Sequence, residues 1–189
     1  MIQFLKETFK HPKFTGAIAE SSQGLSHLIT DSAKLKSANY IVELGPGTGV
    51  FSRLILQKKN NNSKYFAIEI NPSFVQQMRN NLPACQVYCD SCEHLSKYLE
   101  INEFKHADRV ISGLPWTAFD SDLKNKLIKE IHKHLIKGGI FVTFAYFPFN
   151  YFSAGRKFKK LILKTFSSVK TTKIIWLNLP PAFVYICKK

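Results

Sequence analysis

Residues 40–51 read Tyr-Ile-Val-Glu-Leu-Gly-Pro-Gly-Thr-Gly-Val-Phe. An apolar run too short for a helix stops at Glu43, glycines follow at alternate positions 45, 47 and 49, and Phe51, Leu54 and Ile55 then recur at helical spacing. Strand, tight turn and helix in that order commit the chain to an α/β fold. Glycines at these positions let the backbone turn sharply and let a ligand approach its amides with no Cβ between. A dinucleotide pyrophosphate calls for G-x-G-x-x-G, and the sixth position from Gly45 is Val50. The spacing therefore suits a ligand that brings no phosphate.

The alternation of strand and helix continues along the chain. A second strand, 64–70, carries Glu69 near its carboxyl end, and Asn71-Pro72 opens the next helix. Open α/β sheets bind ligands at the carboxyl ends of their strands, which sets Glu69 beside the glycine loop, where a carboxylate accepts from a ligand's hydroxyls. A third strand, 85–89, ends at Asp90-Ser91, and a fourth, 107–111, delivers Ser112-Gly113-Leu114-Pro115-Trp116. Asp120 or Ser121 caps a long helix with Leu123, Leu127, Ile128, Ile131 and Leu135 on its inner face, ended by Gly138-Gly139. A fifth strand runs from Ile140 to Tyr146, and an antiparallel pair is expected around 169–177 and 182–187. At the other end, Ile2, Phe4, Leu5 and Phe9 make residues 1–11 a short amphipathic helix, and 13–30 a lid and helix, so that 1–30 is an N-terminal part of a single domain, 1–189.

The balance of 27 Lys+Arg against 13 Asp+Glu gives a formal +14, a field that attracts nucleic acid or an anionic lipid surface. The basic stretch Arg156–Lys164 is either a solvated helix face or a contact with such a polyanion. No run approaches the length that spans a bilayer and the N-terminus lacks a signal-peptide core, so a cytoplasmic protein with reduced thiols is expected. Cys85, Cys89 and Cys92 have the C-x3-C-x2-C spacing that resembles the cluster ligands of radical SAM enzymes. Cys85 and Cys89 sit on the third strand, however, and are read as small apolar residues. His132 and His134, two apart, cannot share a helix face and are expected in solvent, so no metal is expected.

Glu43 to Gly49 resembles the first motif of the class I S-adenosylmethionine (SAM) dependent methyltransferases. The resemblance implies a Rossmann-like α/β fold: a seven-stranded, mostly parallel sheet with a C-terminal antiparallel hairpin and helices on both faces. It implies SAM as cofactor and S-adenosylhomocysteine as product. Glu43 would face the methionine amino end, Leu44, Gly45, Gly47 and Gly49 would line the cofactor, Glu69 and Ile70 would take the ribose, Asp90 and Ser91 the adenine, and Ser112 would complete the pocket. Leu114-Pro115-Trp116 resembles the Asn-Leu-Pro-Tyr and Asp-Pro-Pro-Tyr loops of amino-group methyltransferases, with Ser112-Gly113 in place of their Asn or Asp.

Taken with Thr15-Gly16-Ala17-Ile18, Ser21-Ser22, Ile68 to Pro72 and Ile175 to Ala182, the pattern is similar to the bacterial phospholipid N-methyltransferases, which methylate phosphatidylethanolamine. The catalytic set implied is Ser112, Gly113, Leu114, Pro115, Trp116 and Tyr146, with Trp116 offering a cation–π face to an ammonium, Tyr146 walling the same headgroup pocket and Asn178 near it. The partners implied are an anionic membrane surface and its phospholipid, with the protein peripheral to the inner face of the membrane. Two alternatives stand beside it: an RNA adenine N6-methyltransferase, and a non-catalytic SAM-binding module associated with membranes.

Overall fold

A computed structural model describes residues 15–189 of the chain, with side chains from Gln23 onward. Five strands run parallel: β1 (Tyr40–Leu44), β2 (Lys64–Glu69), β3 (Gln86–Cys89), β4 (Ala107–Ser112) and β5 (Leu135–Tyr146). Two more, β6 (Ser168–Thr171) and β7 (Ala182–Lys188), are antiparallel to their neighbours. The order across the sheet is β3-β2-β1-β4-β5-β7-β6. Strand order reverses between β1 and β4, and a sheet of this kind opens its ligand crevice at that reversal, beyond the strands' carboxyl ends.

Successive side chains of a strand point to opposite faces, so a sheet covered on both sides makes two cores. Val42, Leu44, Phe66, Val110 and Phe141 point to one face, against α4 (Leu95–Ile101), α5 (Ser121–His134) and α6 (Ser153–Thr165). Ile41, Tyr65, Ala67, Ile111 and Val142 point to the other, against α1 (Thr15–Ser32), α2 (Val50–Lys58) and α3 (Pro72–Asn81). The Arg109 guanidinium fastens α1 to the sheet: it is buried and donates to the Ala33 carbonyl at 2.7 Å and to Ser37 Oγ at 3.0 Å.

The seven-stranded sheet with its antiparallel end is the architecture expected from the sequence. Several boundaries differ. The long helix ends at His134, because Leu135 already pairs with Ala107 and begins β5. Gly138 and Gly139 are therefore not a helix stop. They lie inside β5, where Gly138 has φ 79° and the register to β4 shifts, the usual role of glycine in an irregular strand. The strand expected over 169–177 stops at Thr171, and beyond it only a bridge from Ile175 to Ala182 remains. His132 and His134 are not in open solvent: the first sets its ring edge on Phe166 at 5.5 Å, and the second, with Nε2 3.3 Å from Glu130, is partly buried. The helix expected over 1–11 lies outside the described residues. Of the expected lid and helix over 13–30, the described part is α1.

Candidate active site

The glycine loop leaves β1 with Gly45, Gly47 and Gly49 at φ +68°, +59° and +86°. That left-handed conformation is one only glycine adopts freely. Two glycines here have different physical reasons. A Cβ on Gly113 would stand 2.3 Å from the Gly45 carbonyl oxygen, so the loops after β1 and β4 pass in backbone contact, sealed by Gly113 N donating to the Leu44 carbonyl at 2.9 Å. A Cβ on Gly47 would meet nothing within 4 Å. Its open side is the crevice. Gly113→Ala is accordingly expected to cost about 3 kcal/mol of stability. Gly47→Ala should cost only about 1 kcal/mol through its φ while weakening SAM, since its methyl would enter the open space that the family resemblance gives to the cofactor. Thermal melts beside calorimetric SAM titrations check this, and equal losses of melting temperature would refute it.

Two buried glutamates frame the loop. Glu69 closes β2 as expected, and its carboxylate accepts from Gly47 N through Oε2 and from Asn71 N through Oε1, both at 2.9 Å. It holds the glycine loop against the start of α3, and each oxygen keeps a further lone pair for a ligand hydroxyl. Glu43, two residues before the loop on β1, is wholly buried. Ser52 Oγ at 2.6 Å and the Tyr65 hydroxyl at 2.5 Å both donate to its Oε2, while its buried Oε1 has no hydrogen-bond partner. Burial pushes the Glu43 carboxyl up from 4.5 to about 7, against the lowering effect of its two hydroxyl donors.

A cationic ligand favours the ionised form of Glu43, so its binding must expel a proton wherever Glu43 is still protonated. SAM affinity is therefore expected to fall as pH drops below about 7 and to level off above it. Glu43→Gln should flatten that profile. A flat wild-type isotherm series across the same range would show that Glu43 does not meet the cofactor's charge.

Ile70, directly after Glu69, is 71% exposed, an apolar side chain at the mouth of the crevice. Asp90 stands at the end of β3 as expected, but its oxygens are already engaged by the Tyr98 hydroxyl at 2.7 Å, His94 Nδ1 at 2.9 Å and Ser91 N at 2.7 Å. These bonds, Tyr98 foremost, hold Asp90 well below the usual carboxylate range. Ser91 Oγ in turn caps the turn that follows by accepting from Glu93 N at 3.2 Å. Leu44 is buried in the core under the loop and contributes its carbonyl rather than its side chain.

The loop after β4 is wired to itself. Buried Ser112 turns Oγ back to accept from Leu114 N at 3.2 Å, and the Leu114 and Pro115 carbonyls accept from Trp116 N and Ala118 N. Trp116 does not line the crevice. It is 3% exposed, its ring stacks on Phe158 at 4.9 Å, and its Nε1 donates to Thr143 Oγ1 at 2.9 Å. Tyr146 is three residues beyond Thr143 on the same strand, so the alternation of β5 turns it to the opposite face, where it packs with Phe144. A single pocket walled by both Trp116 and Tyr146 is thus not formed. Asn178, expected near the headgroup, is buried and donates through Nδ2 to the Pro180 carbonyl at 2.5 Å, where it holds a turn.

Ser52 and Tyr65, which clamp Glu43, escaped sequence reasoning. Tyr65 was visible as the one hydroxyl among the inner residues of its strand, directly before Phe66. Among the described residues no three metal-ligating side chains converge, and Cys85 and Cys92 belong to cores on opposite faces of the sheet.

The orphaned Glu43 Oε1, the spare lone pairs of Glu69 and the exposed Ile70 side chain fit a ligand that brings an ammonium, a diol and a flat ring, and SAM would bring all three. Residues 41–139 match the family described as methyltransferase domain. The chain is 28% identical over 188 residues to an ornithine lipid N-methyltransferase of Singulisphaera acidiphila, covering 98% of this chain and 94% of that protein. It is 27% identical over 88 residues to ribosomal RNA small subunit methyltransferase A of Chlamydia trachomatis, which is 47% of this chain and 30% of that one. Among solved structures, a SAM dependent methyltransferase from Archaeoglobus fulgidus superposes with TM-score 0.68 at 16% identity over 99% of both chains. With its crevice, its two framing glutamates and this match over the segment that builds them, the chain belongs to the methyltransferase domain family and is a SAM-dependent methyltransferase.

Proposed function

We propose that the protein methylates the primary amine of a membrane lipid headgroup, phosphatidylethanolamine first, at the inner face of the membrane. The observation that carries this reading is Ser112: where enzymes acting on a planar base amine place a carboxylate or amide, this loop has a single buried hydroxyl whose oxygen is turned back to accept from Leu114 N. A base edge would find no matching side chain there, whereas a freely rotating ammonium needs none. The nearly end-to-end match to a lipid N-methyltransferase supports the same class, against a partial match to the RNA enzyme.

SAM, when bound, supplies an electrophilic methyl on a sulfonium. The chain's own work is positional. Glu69 and Gly47 fix the cofactor's place, and the rigid backbone from Ser112 to Pro115 holds the amine in line with the methyl. The amine must lose a proton before it attacks. Burial raises the Tyr146 hydroxyl further above neutrality, so it serves as a neutral hydrogen-bond partner that orients the amine while water carries the proton away. Tyr146→Phe should lower kcat about tenfold, the worth of one such bond, with SAM affinity unchanged.

The deciding experiment offers radiolabelled SAM to phosphatidylethanolamine vesicles, to ornithine-lipid vesicles and to ribosomal RNA. Label in either lipid extract supports an amine-lipid enzyme and names its headgroup. Label in the RNA alone overturns the proposal.

A further inference from the structure

The loop after β5, residues 147–152, and the loop before β7, residues 175–181, form one unit. Phe147 N donates to the Pro181 carbonyl at 2.8 Å, and the Phe147 ring meets Trp176 at 5.3 Å and Tyr151 at 5.9 Å. Tyr146 pairs with Ala182, so the unit sits at the carboxyl end of β5, the same end of the sheet at which the crevice opens. It is apolar and bare. Tyr151, Phe152 and Leu179 are exposed, Trp176 is 65% exposed and Leu177 is 92% exposed, and among the described residues nothing covers them. An exposed apolar patch of this kind marks an interaction surface.

Charge says what kind of partner. No aspartate or glutamate follows Glu130, while eleven lysines and arginines do. Five of these, Arg156, Lys157, Lys159, Lys160 and Lys164, are exposed on α6, which starts directly after Phe152 and keeps Phe158 and Ile162 inward. A second copy of the chain would set this cationic surface against itself. RNA satisfies the cations and could stack on Trp176, but Leu177, the barest member, has no face to stack and no atom to hydrogen-bond. Hydrocarbon rewards Leu177, headgroup depth suits Trp176 and Tyr151, and anionic headgroups meet α6.

We propose that the 147–152 and 175–181 loops, flanked by α6, are the surface by which the enzyme docks on an anionic bilayer, with the mouth of the crevice turned to the lipid headgroups. The proposal rests on the reading of the acceptor as a membrane lipid. It adds which part of the molecule enters the interface.

The chain has two tryptophans; Trp116 is buried and emits in the blue with or without vesicles, so the vesicle-dependent change, and the difference spectrum between wild type and Trp176→Phe, report on Trp176. The full chain, without SAM, is mixed with vesicles of phosphatidylcholine and phosphatidylglycerol, which contain no primary amine to methylate. Vesicles should shift the emission to the blue, and bromine-labelled acyl chains should quench it. Trp176→Phe should abolish both changes while leaving sedimentation with vesicles largely intact. Leu177→Asp, at an exposed site that leaves circular dichroism unchanged, should weaken vesicle binding at least about tenfold. Three outcomes overturn the proposal: Trp176 emission already blue in buffer, which means another segment covers it; vesicle binding unaffected by Leu177→Asp and without quenching; or binding to RNA but not to vesicles. Methyl transfer to amine lipid dispersed in detergent, measured on the same variants, reads the catalytic proposal independently of docking.

Discussion

Trp116→Ala is expected to destabilise the fold by about 3–5 kcal/mol, the range for removing a large aromatic side chain from a packed core. For a chain of this size that lowers the melting temperature by on the order of 10 °C. The ring fills the space between Phe158, stacked at 4.9 Å, and the edges of Phe119 and Phe141 at 5.9 and 6.0 Å. Its Nε1 bond to Thr143 continues through Thr143 Oγ1, which donates to the Ser112 carbonyl at 3.2 Å, so the substitution also slackens the acceptor loop from beneath. Trp116→Phe should fall between the two, keeping the stack and losing the bond. A scanning calorimeter decides the matter. An unchanged melting temperature with lowered turnover would return Trp116 to the substrate pocket.

Glu69→Ala should weaken SAM by about a hundredfold, because the charge-assisted hydrogen bonds proposed for the ribose would be lost together with the acceptor that holds Gly47 N in place. Its effect on stability should be smaller: Gly47 N and Asn71 N lie at the solvent-facing mouth and can turn to water. Glu69→Gln separates shape from charge, since an amide keeps one acceptor and loses the anion. Isothermal titration with SAM measures both, and a wild-type dissociation constant for Glu69→Ala would contradict the placement of the ribose.

What could be read in the sequence was whatever the chain encodes within a few neighbouring residues. The strand, glycine turn and helix of residues 40–58 are local, and so is the acid at the end of β2, which topology then carries to the crevice. Trp116 was misread because its surroundings come from β5 and α6, and only the alternation of β5 decides that Thr143, not Tyr146, shares its face. Gly138 and Gly139 were misread because glycine ends helices and relieves strands by the same freedom, and the choice between them was made by pairing to a distant β4. Asp90 was placed correctly at its strand end, while its engagement with Tyr98 and His94 depends on how the following turn folds back.

The sheet order has a consequence for biosynthesis. β7 lies between β5 and β6, though β6 is made first. As the nascent chain emerges from the ribosome, β6 has no hydrogen-bonding neighbour until β7 has been translated and slipped into the gap. Phe183 and Tyr185 then close one core and Val184 the other in a single late event. Until then the flank of β5 is an open edge, the kind of exposed strand that a chaperone shields.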